Sequence, residues 1–131
     1  MIEGPVFTVD YIRNSYTNKD FSIAREELLR TKNGAGTTVR MSNDILLKQL
    51  VSHIGNTIHV NGCINMEFIQ SKGKYYLIDI NPRFSAGVAF SRMAGYNMVL
   101  NHLNCFIAQD IQDSILYQEQ IITKRYREEI L

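Results

Sequence analysis

Two acids, an asparagine and an arginine are the residues of this chain best suited to chemistry: Glu67, Asp79, Asn81 and Arg83. They fall on or just after two predicted strands, where buried apolar residues would be the default. Carboxylate and amide oxygens are ligands that Mg²⁺ accepts alongside phosphate oxygens. An arginine adds a planar fork for phosphate or carboxylate. Because a cation and an arginine together can neutralise a transferring phosphoryl group, these residue types predict a metal–phosphate site.

The register of the predicted hairpin decides whether the acids meet. Side chains alternate between the faces of a strand, so Asp79 and Asn81 share one face. A three-residue loop at 71–73 would make Glu67 and Asp79 diagonal neighbours on that face. A four-residue loop would separate them unless a bulge restored the pairing. The same residues also fit a solvated sheet face with no ligand, on which Arg83 forms only a surface ion pair.

The remaining pattern predicts an α+β fold. Strands are predicted over 6–12, 62–70, 74–81 and 115–122, and residues 32–38, with two glycines, are predicted to form a flexible loop. The acids of residues 21–29 suggest a helix, but their place after a strand and a turn favours a strand that pairs with the first. Helices are predicted after the cap residues at 42–44, after Pro82 with a break at Gly95, and from the cap residue Asn97. The order β-β-α-β-β-α-α-β indicates an antiparallel sheet with helices packed on one face.

The first and the last of these predicted helices carry an apolar stripe. In the first helix the stripe recurs at Leu47, Leu50, Val51 and Ile54, and the helix is expected to stop at Gly55. The last helix places Val99, Leu103 and Phe106 on a shared face. The charged tail at 124–129 is predicted to be the solvated end of the last strand.

Composition excludes several other classes of protein. The chain has 131 residues and a net charge of +1, which suffices for one domain and gives no field to recruit nucleic acid or an anionic membrane. Its first residues lack the pattern of a signal peptide, and no run is long and apolar enough to span a bilayer. Cys63 and Cys105 are expected to be buried thiols of a cytoplasmic protein, with a disulfide as the alternative.

Residues 65–68, a short hairpin and residues 79–87 resemble the C-terminal signature of the ATP-grasp superfamily. The likeness is greatest to the large-subunit type of carbamoyl-phosphate synthase and related peptide or amino-acid ligases. Two weaker likenesses lie upstream. Residues 2–10 are similar to the strand after the adenine hinge, and residues 24–28 to a basic strand of the same subdomain.

The resemblance implies a role for each residue of the hairpin. Glu67, Asp79 and Asn81 are expected to hold one or two Mg²⁺ ions, or Mn²⁺ in their place, that bridge the phosphates of ATP. Asp79 stands where such families more often have Glu. Asn81 and Arg83 would contact the nucleotide, and Arg83 is the expected catalytic residue, acting on phosphate or the acyl-phosphate intermediate.

Three further positions follow from the same resemblance. Ile69, next on the ligand face, is expected to support the adenine or ribose of ATP. Arg25 is expected to bind phosphate or substrate. Val6 stands where related proteins have a ribose-binding Glu, so this contact is expected to come from elsewhere.

The resemblance also implies an incomplete site. We expect residues 1–131 to be a single domain, the C-terminal half of an ATP-grasp domain and a fragment of a larger protein whose N-terminal lobe is missing. The whole enzyme would use ATP to activate a small-molecule carboxylate as an acyl phosphate and join it to an amine or similar nucleophile. The isolated lobe is expected to be inactive. The alternative is a non-catalytic nucleotide-binding module, or a docking module that forms a homodimer through the surface left open.

Overall fold

The computed structural model describes residues 2–125 and residue 130. Its strands form one antiparallel sheet in the order β5-β4-β1-β2-β3-β6. The strands are β1 Val6–Arg13, β2 Asp20–Arg30, β3 Gly36–Ser42, β4 Gly62–Ser71, β5 Lys74–Asn81 and β6 Ile121–Thr123. The helices are α1 Ile45–Thr57, α2 Val88–Met93 and α3 Met98–Asn104. The predicted α+β class with an antiparallel sheet is confirmed.

The helices cover both faces of the sheet, so the prediction that they share one face is wrong. Leu47 and Val51 of α1 pack in one core with Val9 of β1. On the opposite face, α2 and α3 pack in a second core that includes Phe90 and Ile12. Successive side chains of β1 point to opposite faces and both sets are buried, so each face needs its own cover.

The loop predicted over 32–38 is wrong in its second half. The chain turns at 32–34, and β3 begins at Gly36 and pairs with β2 through Thr38 and Val39. The two glycines suggested flexibility, but the β-branched residues after them favour a strand. The last strand, β6, is shorter than predicted, and residues 126–129 of the predicted charged tail lie outside the described residues.

Helix α1 begins as predicted but does not stop at Gly55. The side chain of Asp44 accepts hydrogen bonds from the backbone N–H groups of Leu46 and Leu47, at 2.8 and 3.2 Å. The helix then continues to Thr57. A Cβ at Gly55 would collide with the Tyr11 ring, so this glycine lets α1 approach the sheet closely.

Helix α3 also starts at its predicted cap, since Asn97 accepts a hydrogen bond from Leu100 N–H at 3.1 Å. Its buried residues are Met98 and Asn101, whereas Val99, Leu103 and Phe106 of the predicted face are each about half exposed. This helix therefore leaves an apolar strip uncovered. In the described part of the chain, no helix combines the length and apolarity needed to cross a membrane.

Cys63 and Cys105 are both buried free thiols, in agreement with the expectation. Burial raises the pKa of the Cys63 thiol far above its usual range. A thiol held in its neutral form is a poor nucleophile. These cysteines therefore contribute to the core rather than to chemistry.

Candidate functional site

The β4–β5 hairpin brings Glu67 and Asp79 together by a different route from the predicted loop. The connection is a two-residue turn at Lys72 and Gly73, with φ values of 50° and 72°. That turn alone would place the two acids on opposite faces, but a bulge at Ile78 shifts the pairing. Glu67 therefore lies directly opposite Asp79 instead of diagonally, and the predicted shared face is retained.

Asn81 completes the set of oxygen ligands at the end of β5. It pairs with Asn65 and donates hydrogen bonds from Nδ2 to Asp79 Oδ2 at 2.9 Å and to Asn65 Oδ1 at 3.4 Å. Asn65 in turn donates to the Arg83 carbonyl at 3.0 Å, which fixes the chain as it leaves the strand. The amide oxygen of Asn81 is therefore the atom of its side chain left to face a cation.

Most of the predicted site residues line one cleft of about 260 Å³. Glu67, Asn81, Arg83 and Arg25 all belong to its wall, together with the turn at 33–36. Two predicted site residues are not part of this lining. Asp79 is exposed beside Asn81, and Ile69 lies further along β4, where it pairs with Val6 and Tyr76.

Arg25 forms the buried floor of the cleft. Its side chain is 1% exposed, and Nη1 donates to Asp10 Oδ2 at 2.8 Å, while Nη2 donates to Ser85 Oγ at 2.8 Å. Asp10 is fully buried and also accepts from Ser91 Oγ at 2.6 Å. Two guanidinium nitrogens of Arg25 are thus hydrogen-bonded within the protein. Its predicted contact with a ligand stays a prediction.

Glu27 and Arg30 are cleft residues that the sequence reasoning missed. Glu27 Oε1 lies 3.5 Å from Arg25 Nε, and Glu27 Oε2 lies 4.0 Å from Arg30 Nε. Arg30 Nη2 lies 3.6 Å from Glu67 Oε1. The alternation of Arg25 and Glu27 on one face of β2 was a usable signal. The position of Arg30 could not be predicted from the sequence, because the pairing of β2 with β3 is irregular there.

These contacts make a chain of alternating charge from the core to the predicted metal ligand. It runs through Asp10, Arg25, Glu27, Arg30 and Glu67. Three buried atoms along it have no hydrogen-bond partner in the structure: Asp10 Oδ1, Arg25 Nε and Glu27 Oε2. Buried polar atoms are normally satisfied, so this network has bonding capacity that its own side chains do not use.

Glu67 and Asn81 of the cleft, together with the exposed Asp79 beside Asn81, form a donor set that fits a hard divalent cation. Two carboxylates directly opposite each other repel, and an oxygen-preferring cation between them would offset that repulsion. Within residues 2–125 and 130, no group of three or more His, Cys, Asp or Glu side chains forms a metal site. A cation here would therefore take two carboxylates, an amide oxygen and oxygens from a ligand, which is how Mg²⁺ is bound with phosphates.

The fold is shared with solved structures of two synthetases and a carboxylase. An N5-carboxyaminoimidazole ribonucleotide synthetase from Thermus thermophilus is 12% identical with a TM-score of 0.71, covering 86% of this chain and 33% of that chain. A biotin carboxylase from Campylobacter jejuni, in a β-γ-ATP complex, is 18% identical with a TM-score of 0.72, covering 86% and 27%. An N5-carboxyaminoimidazole synthetase from Staphylococcus aureus, complexed with ADP, is 21% identical with a TM-score of 0.70, covering 86% and 32%.

This chain therefore spans about a third or less of the length of those structures, and the likeness at these identities concerns the fold. The family described as ATP-grasp in the biosynthetic pathway with Ter operon matches residues 1–129. The superfamily expected from the hairpin motif is thereby confirmed. The chain belongs to this ATP-grasp family.

Proposed function

We propose that this chain is the ATP- and Mg²⁺-binding lobe of a ligase that activates a carboxylate as an acyl phosphate. The observation that carries the proposal is the direct opposition of Glu67 and Asp79, with the Asn81 oxygen beside them. Nothing else in the described cleft offsets both carboxylates, because Arg30 approaches only Glu67 and at 3.6 Å. The family membership supports the same assignment.

Different residues at the cleft would bind the cation and the phosphates. Glu67, Asp79 and Asn81 would hold Mg²⁺, which when bound neutralises phosphate charge as a Lewis acid. Arg83, exposed at the cleft, presents its guanidinium to phosphate or to the acyl phosphate. The turn at 33–36 lines the opposite wall, and its glycines allow close approach of a ligand. Rate acceleration would come from positioning and electrostatics.

A second lobe is part of the proposal. The chain covers 27% to 33% of the solved structures described above, so a complete enzyme would supply the other wall of the nucleotide site. One wall offers fewer contacts and less preorganisation, so ATP binding to this chain alone is expected to be weak. The carboxylate and the nucleophile would be recognised mainly by the missing part.

The test is titration of Mg²⁺ and ATP into this chain, followed by the backbone amides in NMR spectra. Shifts that need both Mg²⁺ and ATP are expected at Glu67, Asp79 and Asn81, and they should be absent in Glu67→Gln. Glu26→Gln is the matched control, since Glu26 pairs with Arg40 away from this cleft. Equal shifts in wild type and Glu67→Gln would refute the proposed metal site.

The uncovered strip of α3 favours a second candidate function, docking or dimerisation. Val99, Leu103 and Phe106 are 51%, 52% and 59% exposed, and contiguous apolar surface of this kind marks contact sites. Sedimentation of wild type and Leu103→Glu distinguishes the cases. A concentration-dependent dimer abolished by the substitution supports self-association, whereas a monomer in both proteins excludes it.

A further inference from the structure

Arg30 contacts two acids of very different burial, and neither contact is a hydrogen bond. Its Nη2 lies 3.6 Å from Oε1 of Glu67, whose side chain is 27% exposed. Its Nε lies 4.0 Å from Oε2 of Glu27, whose side chain is 3% exposed. Among the described residues its guanidinium donates one hydrogen bond, to Thr8 Oγ1, which is long at 3.4 Å. Arg30 is thus held by charge and retains most of its donors.

We propose that Arg30 is an internal counter-ion that neutralises Glu67 until a divalent cation binds there, and then turns to an anionic group of the ligand in the same cleft. This rests on the proposed metal site at Glu67. Binding of the cation and binding of the anion would then be linked through Arg30, a property that the donor set alone does not specify.

The ion pair between Arg30 and Glu67 is weak enough for a ligand to displace it. Both side chains are more than a quarter exposed, and ion pairs of this kind contribute little because solvent screens them. A divalent cation on Glu67 offers the carboxylate a stronger partner and repels the guanidinium at short range. The exchange therefore favours the cation whenever it is present with a ligand.

Glu27 explains why Arg30 stays at the cleft after it is released. Its carboxylate is buried, its Oε2 has no hydrogen-bond partner, and that atom is the one nearest Arg30 Nε. Glu27 is itself confined, since a Cβ at Gly36 would collide with its carboxylate. Arg30 can therefore pivot about Glu27 and keep one charge partner in both states.

The consequence is linkage between the two ligands. While Arg30 covers Glu67, a cation must displace it, and an anion finds the guanidinium occupied. Once the cation is bound, Arg30 is free for the anion, so each ligand strengthens the binding of the other by the same factor. Substituting Arg30 should improve binding of the cation alone and remove part of the linkage.

The experiment uses Mn²⁺ and inorganic tripolyphosphate as probes on this chain. Free Mn²⁺ is measured by electron paramagnetic resonance, with and without tripolyphosphate, for wild type, Arg30→Gln, Arg30→Lys and Arg40→Gln. Each titration with tripolyphosphate is referred to a protein-free titration, because tripolyphosphate itself binds Mn²⁺. Arg40 is the matched control because it pairs with Glu26 at 2.8 Å outside this cleft. We expect Arg30→Gln to bind Mn²⁺ alone about threefold to tenfold more tightly and to show a smaller gain with tripolyphosphate.

Arg40→Gln should behave like wild type. Arg30→Lys keeps the charge but has one nitrogen in place of the Nε and Nη2 that face Glu27 and Glu67, so its Mn²⁺ affinity should lie between those of wild type and Arg30→Gln. Unchanged or weaker Mn²⁺ binding by Arg30→Gln would overturn the inference while leaving the metal site in place. Failure of every variant to bind Mn²⁺, with or without tripolyphosphate, would overturn the proposed function and this inference with it.

Discussion

Two buried arginines of the same sheet differ in how the protein satisfies them. Arg13 is 5% exposed, and each of its three guanidinium nitrogens donates a hydrogen bond to a neutral oxygen. The acceptors are Asn56 Oδ1 at 2.9 Å, the Val60 carbonyl at 2.9 Å and Asn18 Oδ1 at 2.6 Å. Arg13 joins β1 to α1 and to the turn before β2, and every nitrogen of its guanidinium has a partner.

Arg25 is more deeply buried yet less completely bonded. It pairs with Asp10 and lies beside Glu27, and its Nε has no hydrogen-bond partner although the atom is buried. The network around it continues to the cleft, whereas the Arg13 contacts end within the fold. Charged partners with unused bonding capacity thus surround the proposed ligand side of this sheet, whereas Arg13 at the structural side bonds only to neutral oxygens.

Removing Arg25 is expected to have the largest effect. In Arg25→Met, Asp10 becomes a fully buried charge without its cation. Breaking one side of a buried pair typically costs about 3–5 kcal/mol of unfolding free energy. Urea denaturation followed by circular dichroism measures this loss. A loss below about 1 kcal/mol would show that Asp10 is not held as a buried charge by Arg25.

Removing Arg13 should cost less. Arg13→Met leaves three neutral oxygens without a donor, and two of these belong to asparagine side chains that are not fully buried. Such acceptors can recover water, so we expect a loss of about 2 kcal/mol. The same urea titration applies. A larger loss of unfolding free energy in Arg13→Met than in Arg25→Met would contradict the proposed difference between the two arginines.

Glu67→Gln should separate binding from stability. The side chain is partly exposed and its contact with Arg30 is loose, so the free energy of unfolding should change by less than about 0.5 kcal/mol. Mn²⁺ affinity should fall about tenfold or more, equivalent to about 1.4 kcal/mol. Urea denaturation and paramagnetic resonance on the same samples check both statements. A variant that keeps its Mn²⁺ affinity would place the ion elsewhere.

A pH effect is expected at the Arg13 end of the sheet, and it should be the smallest. His102 Nδ1 accepts a hydrogen bond from Cys63 N–H at 2.9 Å, and burial lowers the pKa of His102. Its stabilising contribution is therefore complete above the unfolded pKa of about 6.5 and is lost as pH falls through the lower folded value. Urea midpoints should drop between about pH 7.5 and about pH 5. The drop should be smaller in His102→Gln, and an equal drop in both would assign it to other groups.

Local signals in the sequence were sufficient to predict the helix caps and the shared face of the two hairpin acids. Asp44 and Asn97 start their helices as predicted, because a cap depends only on neighbouring residues. Glu67 and Asp79 were identified by type and by resemblance. The prediction that their side chains share one face is confirmed, but the predicted register is wrong. The bulge at Ile78 sets the register, and it cannot be predicted from the local sequence.

Features that depend on long-range contact could not be read in the same way. The strand at 36–42 was hidden by the glycines at its start. The burial of Asp10 depends on Arg25 and Ser91, which lie far apart in the sequence. Helices cover both faces of the sheet because α2 and α3 pack on the face opposite α1, and this depends on the path of the chain after β5. Arg30 of β2 reaches Glu67 of β4 only because both strands flank β1 in the sheet.

The most direct test of this contrast is paramagnetic broadening of backbone amides by Mn²⁺ in the presence of ADP. The distinction between a ligand side and a structural side predicts strong broadening at Glu67, Asn81 and the turn at 33–36. It predicts unchanged signals at Arg13 and Asn56, and loss of the broadening in Glu67→Gln. Broadening spread over both ends of the sheet, or centred on the Arg13 end, would contradict it.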